Sequence, residues 1–96
     1  MSEEMTRSRL VRLEVAAQSV RLPVTRVRRY MRAGLVRPAH GAGAEALFGD
    51  DELARLRKIR RLCEDLGINQ AGLEVVLRLL DEVEALRAAL ARREES

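Results

Sequence analysis

The chain's two prolines, Pro23 and Pro38, bracket the stretch that most restricts how it can fold. Proline is excluded from a helix interior because it lacks an amide hydrogen and its ring meets the preceding turn, yet it suits a first turn. A helix can therefore start at Pro23 and must end before Pro38, and Gly34 is placed to stop it as a left-handed C-cap. The helix so confined is short and crowded with charge. Six arginines (Arg21, Arg26, Arg28, Arg29, Arg32, Arg37) and no acidic residue lie between Arg21 and Arg37. On about two and a half helical turns such charges repel one another, so the segment is most simply understood if a polyanion neutralises it. A solvated basic face is the other reading that charge alone allows.

The length of 96 residues fits one small domain, and 47% apolar residues with one tyrosine, one phenylalanine and no tryptophan imply an aliphatic, mainly helical core. A chain this short buries a modest share of its surface, so burial against a partner or a second copy is expected. Charge is unevenly spread: residues 1–62 hold 14 basic and 7 acidic residues, and residues 63–96 hold 4 and 8. A basic front and an acidic, leucine-rich back suit a nucleic-acid-binding head joined to a protein-binding tail better than an enzyme. Met1 to Arg12 lacks the apolar run of a signal peptide, and no segment approaches the roughly 18 to 20 apolar residues of a membrane span. A cytoplasmic protein without membrane contact is expected.

Spacing supplies the elements. Glu14 to Gln18 reads as one or two turns of a first helix. In the second, Val24, Val27 and Met31 lead on to Leu35 as the buried stripe, with Arg26, Arg29 and Arg32 opposite and Arg28 at the flank. Thr25 can satisfy amides near its start. His40 to Ala44 is a small flexible loop, and Glu45 to Phe48 can extend as a short wing strand, with Leu47 and Phe48 anchoring it to the next helix. Asp50 or Asp51 can cap a third helix whose stripe is Leu53, Leu56, Ile59, Leu62 and Leu66 and whose outer face is basic. Gly67 stops it, Asn69 can cap the next, and one amphipathic helix follows from Leu73 to about Arg93. Along it Leu73, Leu77 and Leu80 can pack on the head. Val76, Leu79, Val83, Leu86 and Leu90 step by three and four as a heptad seam of about two heptads. Three regions are expected: a flexible N-terminus (1–9), a DNA-binding head (10–68) and a C-terminal helix for dimerisation or partner binding (69–96).

No catalytic set converges. Ser19 and Cys63 have no histidine at a useful spacing, since His40, the sole histidine, lies in the glycine loop. One cysteine and one histidine make no metal site, and no cofactor is expected. Gly41-Ala42-Gly43 lacks the Gly-Lys-Ser/Thr ending of a phosphate loop and reads as a turn. Asp50-Asp51 and Glu64-Asp65 are explained by helix-end electrostatics and solvation, and Cys63 by core packing. Tyr30 can either fill core space or present its hydroxyl to a phosphate beside Arg28.

Val27-Arg28-Arg29-Tyr30-Met31-Arg32-Ala33-Gly34-Leu35-Val36-Arg37-Pro38 resembles the second helix and exit of the MerR superfamily, Leu-Arg-x-Tyr-x-Arg-x-Gly-Leu-(Leu/Val/Ile)-x-Pro. Asp50 to Leu56 resembles that family's third helix. Asp65-Leu66-Gly67-Ile68-Asn69-Gln70-Ala71-Gly72-Leu73 is similar to the Gly-(Val/Ile)-Asn-x-Ala-Gly-(Ile/Val) signature of its heat-shock branch, which holds the HspR repressors and the CbpM chaperone modulators. The resemblance spans about residues 10–92. It implies a mainly α fold of winged helix-turn-helix type, with a short β wing and a long C-terminal dimerisation helix.

It also implies a DNA-binding transcriptional regulator, a homodimer on duplex DNA, with Arg26, Arg28, Arg29 and Arg32 at or beside the major-groove helix, Tyr30 where such proteins contact the backbone, Thr25 among the DNA-binding residues and Arg37 flanking the wing. Arginine suits that role because its planar fork binds phosphate, or guanine O6 and N7, through two hydrogen bonds. Two departures stand out: the usual turn glycine between the first helices is Arg21, and the usual wing arginine is Ala46, next to Glu45. The tail carries one helix and no effector domain, so small-molecule sensing is not expected. The alternative that the resemblance implies is a CbpM-like modulator of a DnaJ-like co-chaperone. Leu79 to Leu86 matches the long helix of that group, and Asp81, Glu82 and Glu84 would meet the basic helix of a J-domain. Parallel and antiparallel pairing of the seam both remain open.

Overall fold

The computed structural model describes residues 9–95. The N-terminus expected to be flexible lies, apart from Arg9, outside the described residues. Within them the order is strand β1 (Val11–Arg12), helix α1 (Leu13–Val20), helix α2 (Val24–Arg32), a 3-10 turn (Gly43–Glu45), strand β2 (Leu47–Phe48), helix α3 (Asp50–Leu66) and helix α4 (Gln70–Glu95). This is the mainly helical, winged helix-turn-helix architecture that the sequence led us to expect.

The core is built where α1, α2 and α3 meet. Leu13, Ala16, Ala17 and Val20 form the inner face of α1 at helical spacing, and Val27, Tyr30, Phe48, Leu56 and Ile59 close around them, each at most 3% exposed. Apolar burial of this kind contributes about 1.5–3 kcal/mol per large side chain. Leu73 and Leu77, from the first two turns of α4, are buried in the same cluster. Among the described residues the buried side chains are all hydrophobic, so the helices meet through aliphatic and aromatic packing.

The wing is tied to the chain's beginning. β1 and β2 pair antiparallel, Val11 opposite Phe48 and Arg12 opposite Leu47. His40 bridges Leu47 from the other side, with His40 N donating to Leu47 O at 3.3 Å and Leu47 N to His40 O at 2.8 Å, and Ala39 N adding a bond to Leu47 O at 2.8 Å. Glu45 N to Ala42 O (3.0 Å) and Ala46 N to Gly43 O (3.2 Å) close the tip. The loop read from sequence as small and flexible is thus internally hydrogen-bonded, and the extended strand is only Leu47–Phe48. The pairing with Val11–Arg12 was not foreseen, because two extended residues leave no periodic signal.

Helix ends follow their side-chain chemistry. At α2, Gly34 (φ +76°) turns the chain left-handed, while Gly34 N bonds Met31 O and Leu35 N bonds Tyr30 O, a Schellman closure. Gly67 (φ +66°) ends α3, and Asn69 caps α4 by accepting from Gly72 N at 2.9 Å. Two expectations need correction. The N-cap of α3 is Gly49, not Asp50 or Asp51: Gly49 N donates to Glu52 Oε1 at 2.8 Å, and the two aspartates occupy the first turn, where the helix dipole favours them. Leu66, expected in the buried stripe of α3, is 68% exposed, because the last turn of α3 runs past the core.

Candidate nucleic-acid interface

The azimuth of α2 is set by Val27 and Tyr30, both buried and three residues apart. Val24 and Met31 are half-buried edges of that face. At about 100° per residue, Arg28, Arg32, Thr25 and Arg29 then fall within an arc of about 100° on the outer side, and all four are exposed. This revises the expected partition. Arg28 belongs to the outward face, and Arg26 is the half-buried flank. The buried aromatic ring of Tyr30, left out of the stripe in the sequence reading, rotates the helix by roughly one position.

Tyr30 itself is 3% exposed, so its ring fills core space rather than standing among the exposed groups of α2. Its Oη lies 3.8 Å from Cys63 Sγ on α3. Burial first, and the contact with Cys63 second, push the phenol's pKa up against the opposing pull of Arg26 and Arg29, so it stays a neutral hydroxyl. Arg26 and Arg29 border an open groove of about 360 Å³ with Glu64, Ile68 and Gln70.

On the other side of α2, Arg28 and Arg32 meet Arg37 across a second groove of about 540 Å³. Met31, Val36 and Pro38 form its floor and the wing residues Gly41 to Ala44 its far wall. Among the described residues none of Arg28, Arg29, Arg32 or Arg37 has a carboxylate partner. Their charge is therefore uncompensated among the described residues, and all four side chains are exposed. On the wing, Ala46 is fully buried and Glu45 exposed, so the cationic surface is contributed by the α2 side of the groove.

Three of the five cations of α3 are committed differently, while Arg57 and Arg61 are exposed and have no ion-pair partner among the described residues. Arg55 donates from Nε to Leu35 O at 2.8 Å and clasps Asp81 of α4 with Nη1 and Nη2 at 2.7 and 3.1 Å. Lys58 pairs with Glu84 at 3.3 Å, and Arg60 with Glu64 at 3.6 Å. The Arg55 hydrogen bond holds the Asp81 carboxyl below its ordinary value. Of the three acids expected to form one face of α4, Asp81 and Glu84 thus pair with α3, while Glu82, about 100° round the helix from Asp81, makes no ion pair among the described residues and borders a groove with Leu35 and Arg55. No local pattern announces the Arg55–Asp81 clasp, whose partners are 26 residues apart.

Along α4 the heptad seam is largely open. Leu79, Val83, Leu86 and Leu90 are between 41 and 70% exposed, and Val75, which the heptad reading passed over, joins them; Val76 is half-buried. Val75 was legible in the i, i+4 step to Leu79. Among the described residues there is no helix long and apolar enough to cross a membrane, and no cluster of His, Cys, Asp or Glu suited to a metal ion.

Comparison with known proteins agrees with this geometry. Residues 11–94 match the family described as MerR HTH family regulatory protein. A Streptomyces coelicolor protein provisionally named heat shock protein HspR is 35% identical over 79 residues, which is 82% of this chain and 52% of that protein. The chain spans about half the length of this relative. With the family match running from β1 to the end of α4, on a winged helix-turn-helix fold, the chain belongs to the MerR family of helix-turn-helix regulatory proteins.

Proposed function

We propose that this protein is a DNA-binding transcriptional regulator, a homodimer in the cytoplasm that seats α2 in the major groove of duplex DNA and acts on heat-shock or chaperone genes. The observation that carries the reading is the outward arc of Thr25, Arg28, Arg29 and Arg32, joined by Arg37, without carboxylate partners among the described residues. Arginine forks on a rigid helix supply both phosphate contacts and bidentate guanine recognition. The exposed Val75, Leu79, Val83, Leu86 and Leu90 supply the surface for a second copy, which sets two α2 helices against successive turns of a palindromic site. The relation to a protein named for heat shock supports the gene class.

The test is a gel shift at fixed ionic strength. Arg28→Ala with Arg29→Ala lowers affinity at least tenfold and, when the salt is then varied, reduces the log–log slope by about 0.9 for each phosphate no longer neutralised, with an unchanged helical circular dichroism spectrum. Undiminished binding by the double variant rejects the reading. Capture of a DnaJ-like co-chaperone through Asp81, Glu82 and Glu84 is the weaker alternative, since Asp81 and Glu84 would have to leave Arg55 and Lys58. A parallel titration with a J-domain protein separates the two.

A further inference from the structure

Two helices of this fold end in the same hydrogen-bonded motif with different residues at its left-handed position. At α2 the position is Gly34. At α1 it is Arg21, with φ +62° and ψ +43°, where Arg21 N bonds Gln18 O at 3.2 Å and Leu22 N bonds Ala17 O at 3.0 Å. Among the described residues Arg21 is the one non-glycine with positive φ. A β-carbon in this conformation crowds the following carbonyl, which is why glycine takes such positions so often. Nothing within the described fold offsets that strain, for Arg21 is exposed and has neither a hydrogen-bond nor an ion-pair partner for its guanidinium there.

The location gives the side chain a use. Arg21 stands three residues before α2, so its Cα is within about 11 Å of the first turn of that helix. In helix-turn-helix docking the element before the groove-seated helix crosses the sugar–phosphate backbone. A guanidinium at the corner is then in reach of a phosphodiester flanking the groove.

We propose that Arg21 is a phosphate anchor of the DNA interface, held at a position where folding alone favours glycine. The proposal rests on the DNA-binding reading above. It makes stability and binding move in opposite directions: relief of the backbone strain strengthens the fold while removal of the guanidinium weakens the hold on DNA.

The experiment uses the full chain and a fluorescein-labelled, mixed-sequence duplex, titrated by anisotropy over a range of salt. Arg21→Gly is expected to raise Tm by about 4 °C, to weaken binding about three- to tenfold at low salt, and to flatten the salt slope by about 0.9 per bound protomer. Arg21→Lys keeps most of the slope. Arg87→Gln, at an exposed site on α4, measures the effect of net charge alone. The proposal is overturned if Arg21→Gly binds with the wild-type slope, if its weakening merely equals that of Arg87→Gln, or if Tm does not rise. A wild-type chain that fails to bind, or binding indifferent to Arg28→Ala with Arg29→Ala, removes the DNA reading itself. With both of those intact, a silent Arg21→Gly removes only the anchor.

Discussion

Gly41 is the residue at which the wing has least freedom. Its φ is +73°, and a β-carbon there would lie 2.5 Å from the backbone oxygen of Glu45, inside the hydrogen-bonded tip. Gly41→Ala therefore combines left-handed strain with a backbone clash, and we expect a loss of about 1–3 kcal/mol in urea unfolding. Gly43, also at positive φ but with open space around it, marks the difference between conformational need and crowding. Tyr30 offers a complementary test at the same scale. Tyr30→Phe removes only the contact with Cys63 Sγ, so stability should fall by about 0.5–1 kcal/mol and DNA affinity should hold. A tenfold loss of affinity would instead assign the hydroxyl to the nucleic acid. The local sequence kept both roles of Tyr30 open, because the spacing Val24, Val27, Met31 is apolar enough to serve as a stripe without it; only the packing of α1 and α3 around the ring decides its burial.

Between elements, Arg55 connects three parts at once: its own helix α3, the exit of α2 through Leu35 O, and α4 through Asp81. The pair is half open to solvent on the Asp81 side, so a double-mutant cycle on Arg55→Ala and Asp81→Ala should give a coupling of about 0.5–1 kcal/mol that shrinks in high salt. The sign of its pH dependence follows from the lowered carboxyl pKa. In the unfolded chain Asp81 titrates near its ordinary 3.8 and in the fold below it, so the contribution is complete above the ordinary value and disappears as pH falls through the lowered one. Unfolding midpoints of wild type and Asp81→Asn should accordingly converge in acid. The helix ends at Gly34 and Gly67 and the helix start at Asn69 were legible in the sequence because capping is local chemistry. The β1–β2 pair and the Arg55–Asp81 clasp join residues far apart in the chain, and neither leaves a periodic trace.

At the scale of the whole molecule, α4 extends beyond the head, and its side chains from Asp81 onward are exposed except for the half-buried Ala89. Leu86, 70% exposed, sits near the middle of that projecting part. On the homodimer proposed above, charged substitution of Leu79 and Leu86 to Glu should leave the head folded and convert dimer to monomer in sedimentation velocity; an unchanged mass would remove this stripe as a self-association surface. The heptad steps made this exposed apolar stripe readable in advance, as they did its separation from Leu73 and Leu77, which are buried against the head. The same architecture equips the protein with an intrinsic optical probe. With no tryptophan and a single tyrosine, near-ultraviolet signals come chiefly from one phenol, enclosed at the root of α2 beside a sulfur atom. Near-ultraviolet spectra will therefore register how α2 packs on the core while remaining nearly blind to events along the protruding rod.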